Sequence, residues 1–123
     1  MNNDFSEQYA QFRRKMTAMN RAIPETAAGF RTLHAATMTG EGALDRKTKE
    51  LIAVAIGIAV RCDGCIVSHV RSALRAGATR AELLDVIGVA IFMGGGPSTV
   101  YGAEALEALD QFEQTQTPAP VTP

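Results

Sequence analysis

Residues 45–76 read DRKTKELIAVAIGIAVRCDGCIVSHVRSALRA, and this stretch decides the fold. Asp45 is a good N-cap, because its short carboxylate can accept from an orphan N–H of the first helical turn. From Leu51 to Val60 every residue is apolar or glycine. A helix with no polar face is buried all round. In a chain this short, such burial is expected to need a partner subunit. Gly57 would let a second helix cross closely. Asp63-Gly64 breaks the pattern. A further helix is expected from Gly64 or Cys65 to Ala76, with Gly77 as its stop. The expected unit is an antiparallel helix pair with Cys62 and Cys65 at the turn.

Outward from this pair the chain stays helical. Phe5, Tyr9, Phe12, Met16, Met19 and Ile23 step by four and three, the seam of an amphipathic helix. Glu7, Arg13, Arg14 and Lys15 form its solvated face. Pro24 suits the first position of a second helix, to about Met38, with Phe30, Leu33, His34 and Met38 on its apolar stripe. On that stripe His34 reads as a satisfied core histidine. Thr79 and Glu82 form a capping box that opens a fifth helix through Leu83, Leu84, Ile87, Ile91 and Phe92. Gly94 to Gly96 ends it. These glycines follow a helix and lack the Gly-Lys-Ser/Thr ending of a phosphate loop. Pro97 can open a sixth helix with Val100, Ala103, Leu106 and Leu109 inward. No convincing strand appears. The reading is all-α with about six helices, one domain over residues 1–114 and a Thr/Pro-rich disordered tail over 115–123.

The chain has 123 residues, room for one compact domain. A net charge of −1 gives no footprint for nucleic acid or anionic membrane. No apolar run reaches the length of a membrane span. The N-terminus lacks a basic start and apolar core, so a cytoplasmic location is expected. Thiols are kept reduced there, and a close cysteine pair is then catalytic or metal-binding rather than a staple.

Both cysteines lie in Cys62-Asp63-Gly64-Cys65, and His69 follows four residues after Cys65. On a helix that spacing puts Cys65 and His69 on one face, a turn apart. A helix N-terminus favours negative charge and so favours thiolate, the reactive form of cysteine. His69 can take the Cys65 proton or stabilise the thiolate as imidazolium. Asp63 is a mild counterweight, since its charge disfavours a neighbouring thiolate. Cys65 is expected to attack and Cys62 to resolve, cycling between dithiol and disulfide.

Glu50, Cys62-x-x-Cys65 and His69, in this order and spacing, resemble the alkyl hydroperoxidase D-like (AhpD-like) branch of the carboxymuconolactone decarboxylase-like family. Leu44 to Ile56 and the segment from Ala76 to Leu83 resemble the same family, and the similarity covers roughly residues 23–112. The resemblance implies an all-helical domain assembled into trimers or hexamers. It also implies thiol-dependent antioxidant peroxidase or disulfide reductase activity without a cofactor, with Glu50 and His69 relaying protons to the cysteines. The substrates would be a small hydroperoxide or disulfide, and the donor a thiol reductant or a thiol-carrying protein. One departure stands out. The better-studied antioxidant members carry histidine immediately before the second cysteine, where this chain has Gly64.

Helix arithmetic tests Glu50. In a helix over residues 46–61 it lies ~16 Å below the top, at 1.5 Å per residue, against ~8 Å for His69 on the antiparallel partner. The remaining ~8 Å exceeds a direct hydrogen bond, so a bridging water or a kink is expected.

Other functions stay open. Cys62, Cys65 and His69 could supply three zinc ligands, with Glu50 or water as the fourth. A non-catalytic oligomer could sense oxidants through the pair. Decarboxylation of a lactone acid is the superfamily's namesake activity, but that branch uses no cysteine pair.

Overall fold

A computed structural model describes residues 4–116. The described chain is all-α: α1 Phe5–Ala22, α2 Pro24–Met38, α3 Arg46–Ala59, α4 Asp63–Arg75, α5 Arg80–Gly94 and α6 Gly96–Gln116. Of the expected tail, Thr115 and Gln116 belong to α6, and residues 117–123 lie outside the described part.

Local chemistry sets the boundaries. Asp4 and Asp45 each accept from a first-turn N–H, of Glu7 and Thr48. Thr79 and Glu82 form both bonds of the capping box. Gly77, just past α4, takes φ +97°, and Gly95, between α5 and α6, takes φ +75°. An L side chain rarely adopts either conformation.

Side-chain pairs give the helix directions. Lys47 meets Glu82 near the starts of α3 and α5, and Ala59 approaches Gly94 at their ends, so these helices run parallel. Arg80, at the start of α5, bridges to Asp110 and Glu113 near the end of α6, so these two are antiparallel. α4 runs back along α3. α1 lies across α4, with Tyr9 beside Arg71 and Phe12 against Gly64.

The core forms where α3 to α6 meet. Val54, Ile58, Ile66, Val70, Leu83, Leu109 and Phe112 are almost fully buried there. Burying each large apolar side chain contributes about 1.5–3 kcal/mol.

Three expectations about burial change. α3 is not buried all round: Val54, Gly57 and Ile58 face the core, whereas Ile52, Ile56 and Val60 are 44%, 56% and 63% exposed. One side of α3 packs against α4, α5 and α6, and among the described residues Ile52, Ile56 and Val60 on the other side stay largely open. α2 buries only Ala27 and leaves Phe30, Leu33 and His34 exposed, so His34 is no core residue. On α6 the inward face is Ala105, Ala108, Leu109 and Phe112. Val100 and Ala103 point outward, because the first turns of α6 turn Ser98 and Gly102 inward instead, Gly102 against Ile87 and Ile91 of α5.

Candidate redox-active site

The turn between α3 and α4 holds both candidate cysteines. α3 ends at Ala59, and Arg61 takes φ +60° to reverse the chain. Cys62 is then the N-cap of α4, its Sγ accepting from the Cys65 N–H at 3.2 Å. The two sulfurs are joined in a disulfide, with a Cα–Cα distance of 5.2 Å. Both cysteines are half-buried, so the ring is neither sealed in the core nor fully open.

Gly57 shapes the other side of the ring. A Cβ built there would lie 3.3 Å from the Cys65 Cβ, so α3 and α4 cross where α3 has no side chain. Seven residues earlier, on the same face of α3, stands Glu50. It is 3% exposed, and its Oε2 lies 2.7 Å from His69 Nδ1. The pairs Gly57–Cys65 and Glu50–His69 are successive rungs of one antiparallel crossing.

The Glu50–His69 contact is direct, not bridged by water. α3 stops at Ala59, so Glu50 lies only ~13 Å below its top, while α4 starts at Asp63 and puts His69 ~9 Å below. The remaining few ångströms are within reach of the two side chains. A carboxylate only accepts, so Nδ1 carries the hydrogen and Nε2 is left for chemistry. Glu50 thereby fixes the tautomer and orientation of the ring. His69 remains on the Cys65 face, one turn along α4.

Phe12 of α1 occupies the space beside Gly64. A Cβ at position 64 would meet the Phe12 ring at 3.1 Å. Gln8, Gln11, Lys15, Asp63 and Val67 complete a shallow cleft there.

Sequence reasoning did not single out Glu104. On α6 it neighbours Asp63, the first of the two residues between the cysteines. Burial first, then the bond to Asp63 and the charges of Asp63 and Glu107, push the Glu104 carboxyl up to about 7. Glu104 is adjacent in sequence to the buried Ala105, and that placement is the only signal the sequence carries.

The remaining candidates fall elsewhere. His34 lies at a surface hollow with Ala35, Met38, Thr39, Gly40 and Arg46, apart from the cysteines. Arg13, Arg14 and Lys15 are exposed. Among the described residues, no three or more His, Cys, Asp or Glu side chains are grouped to hold a metal ion. No helix there is long and apolar enough to cross a membrane.

A family profile for carboxymuconolactone decarboxylases matches residues 24–108, more than half of the chain. The chain belongs to the carboxymuconolactone decarboxylase family. An apo structure of a carboxymuconolactone decarboxylase family protein from Legionella pneumophila, lpg0406, superposes with a TM-score of 0.84 at 44% identity, covering 88% of this chain and 96% of that one. A family member from Thermotoga maritima, described as "possibly involved in antioxidative response", gives a TM-score of 0.80 at 25% identity, covering 89% and 92%. An uncharacterized protein of Cupriavidus necator is 36% identical over 110 residues, 89% of this chain and 96% of its own length. The six-helix architecture is therefore that of the carboxymuconolactone decarboxylase family, with a cysteine pair at the α3–α4 turn.

Proposed function

We propose that this member of the carboxymuconolactone decarboxylase family is an AhpD-like, thiol-dependent peroxidase or disulfide reductase acting through Cys62 and Cys65. The observation that carries this reading is the buried Glu50 bonded to His69 at 2.7 Å, one helical turn from a disulfide at the start of α4. The antioxidative description of the Thermotoga maritima relative supports the same direction.

The cycle starts from the dithiol. His69 Nε2 takes the Cys65 proton, and the thiolate attacks the O–O bond of a hydroperoxide. Cys65 becomes a sulfenic acid, and the alkoxide leaves as alcohol with the proton from His69. The Cys62 sulfur then attacks the sulfenic sulfur, releasing water and closing the disulfide. The Cys65 N–H that reaches Cys62 Sγ favours a thiolate on Cys62 for this second step. A dithiol donor reopens the ring by exchange, giving up two electrons and two protons. Glu50 touches neither sulfur in this scheme. It holds the imidazole in the tautomer that presents Nε2.

The acting form is a homo-oligomer, a trimer or hexamer, in which the exposed apolar residues of α3 and α5 are covered. The test of activity is consumption of an alkyl hydroperoxide with dithiothreitol as donor. Wild type is expected to turn over, and Cys65→Ser to lose at least 99% of that rate, a loss of about a hundredfold or more. A Cys65→Ser protein as fast as wild type would sink the reading.

A further inference from the structure

α1 carries a charge imbalance that the redox scheme leaves unused. From Gln8 to Ala22 it holds four cations, Arg13, Arg14, Lys15 and Arg21, and no acidic residue, in a chain whose net charge is −1. All four side chains are exposed. On the other helices Lys47 is paired with Glu82, and Arg80 with Asp110 and Glu113. Among the described residues, no ion pair involves the four cations of α1. Arg13 leans instead on the Tyr9 ring of its own helix, at 6.0 Å, which leaves its charge uncompensated.

The packing of α1 brings this charge to the cysteine turn. Arg13, Arg14 and Arg21 border one open hollow on α1. Lys15 borders the cleft that also contains Asp63 and Gly64, the two residues between the cysteines. Phe12 sets the approach, since its ring lies 3.1 Å from where a Cβ on Gly64 would stand. The basic face therefore begins beside the disulfide turn and runs away from it along α1. From Phe12 to Arg21 it extends ~14 Å, at 1.5 Å per residue.

We infer that this face of α1 is the docking surface for an acidic, thiol-carrying protein, held with its thiol over the Cys62–Cys65 ring. The inference rests on the thiol-redox reading and adds how the donor is recognised. Two observations select the occupant. Uncompensated positive charge complements an acidic surface and speeds its encounter. The face also ends at a disulfide, whose reaction partner is a thiol; polypeptides carry thiols, whereas nucleic acids and phospholipid headgroups do not. The docked donor thiolate attacks one ring sulfur, forming a mixed disulfide and releasing the other cysteine as a thiolate that takes up a proton. The second donor thiolate then attacks the donor sulfur of the mixed disulfide. The donor disulfide closes, and the remaining cysteine leaves and is protonated. Two electrons and two protons thus pass from the donor to Cys62 and Cys65.

The test uses two synthetic dithiol peptides, Cys-Gly-Pro-Cys flanked by glutamates or by lysines, and needs no peroxide. Reduction of the oxidised protein is followed by alkylation of the released cysteines and mass measurement. Each rate is divided by that peptide's rate on 2-hydroxyethyl disulfide, which removes the peptide's own thiol reactivity. In about 20 mM salt the glutamate peptide is expected to react at least about tenfold faster than the lysine peptide, and in about 0.5 M salt within about twofold. Lys15→Glu, and Arg14→Glu combined with Arg21→Glu, should each bring the low-salt ratio down to about one or below. A wild-type ratio of one or less at low salt, or a ratio that neither folded variant moves, overturns the inference. The wild-type salt series decides alone if a variant loses its helical circular dichroism. A single-stranded DNA that blocks the reaction far better than a thiol-free glutamate peptide of equal charge would overturn the protein occupant in favour of a phosphate polymer. If neither peptide nor dithiothreitol reduces the pair, the thiol-redox reading falls and the docking surface with it. Reduction by both peptides at equal corrected rates removes the docking surface alone.

Discussion

Glu50 and His69, 19 residues apart in the chain, meet side chain to side chain at 2.7 Å, with Glu50 buried and the imidazole partly open. The contact exists because α3 ends early and α4 begins at once, which brings two antiparallel faces into register. A buried carboxylate that bonds one ring nitrogen leaves the other ring nitrogen aimed elsewhere with a defined role. Replacing Glu50 with Gln keeps the volume but allows the ring to take the wrong tautomer. The expected outcome is a loss of about tenfold or more in peroxide consumption, and His69→Ala should lose about 10²–10⁴-fold, the usual range for a general acid–base group. Steady-state rates with a fixed dithiol donor measure both. Equal rates in wild type and Glu50→Gln would remove Glu50 from the relay.

Glu104 predicts a pH dependence of stability. Its carboxyl is raised from an ordinary 4.5 to about 7 in the folded chain, chiefly by burial. Between those values the folded state binds more protons than the unfolded state. Stability from this group is therefore fully present below about pH 4.5 and is lost as pH rises towards 7. Glu104 is partly exposed, so screening reduces the effect to about 1 kcal/mol. Glu104→Gln should then be more stable than wild type at pH 8 by about that amount, and the gap should close near pH 4.5. Urea unfolding at the two pH values checks it. A gap that widens on acidification would contradict the assignment.

The two halves of the site differ in how far the sequence disclosed them. Cys62, Cys65 and His69 follow from spacing along one helix, and the capping residues Asp45, Thr79 and Glu82 follow from local chemistry. Local rules work there because the partners lie within one or two turns. The directness of the Glu50–His69 bond was not legible, because it depends on α3 ending at Ala59 rather than two residues later. Glu104 was not legible at all, because its partner lies on another helix and no local pattern encodes the α4–α6 offset. The misread faces of α2, α3 and α6 share another cause. Hydrophobic periodicity reports that a face will be covered, not whether its own chain covers it, so Phe30, Ile56 and Val100 stay exposed.

Gly64 and Phe12 should behave as a coupled pair. The ring lies where the first carbon of any side chain at position 64 would come, at 3.1 Å. Gly64→His, which puts an imidazole before the second cysteine, is expected to cost about 1–3 kcal/mol through overpacking. Phe12→Ala in the same protein opens the space and should recover at least half of that loss. A double-mutant cycle on unfolding free energies measures the coupling, with about 1 kcal/mol expected between residues in contact. Strict additivity would mean that Phe12 does not block position 64.

The apolar face of α3 and α5 predicts the assembly. Ala59 and Gly94 approach each other at the ends of these parallel helices, which brings Ile56 and Val60 to the end of the molecule that carries Phe92 and Met93. Phe92 is 86% exposed and Met93 75%, beside Ile56 at 56% and Val60 at 63%. Large apolar side chains grouped in the open at one end of a fold in this way mark an interaction site. Because Val60 lies two residues before Cys62, a subunit seated on this face would also border the cysteine turn. Wild type is therefore expected to run as a trimer or hexamer in light scattering coupled to size exclusion. A charge placed in a buried contact is strongly unfavourable, so Ile56→Asp and Phe92→Asp should each shift the protein to monomer. As these side chains are exposed in the single chain, the monomers should keep their helical circular dichroism. A wild-type protein that is monomeric at tens of micromolar would overturn the assembly.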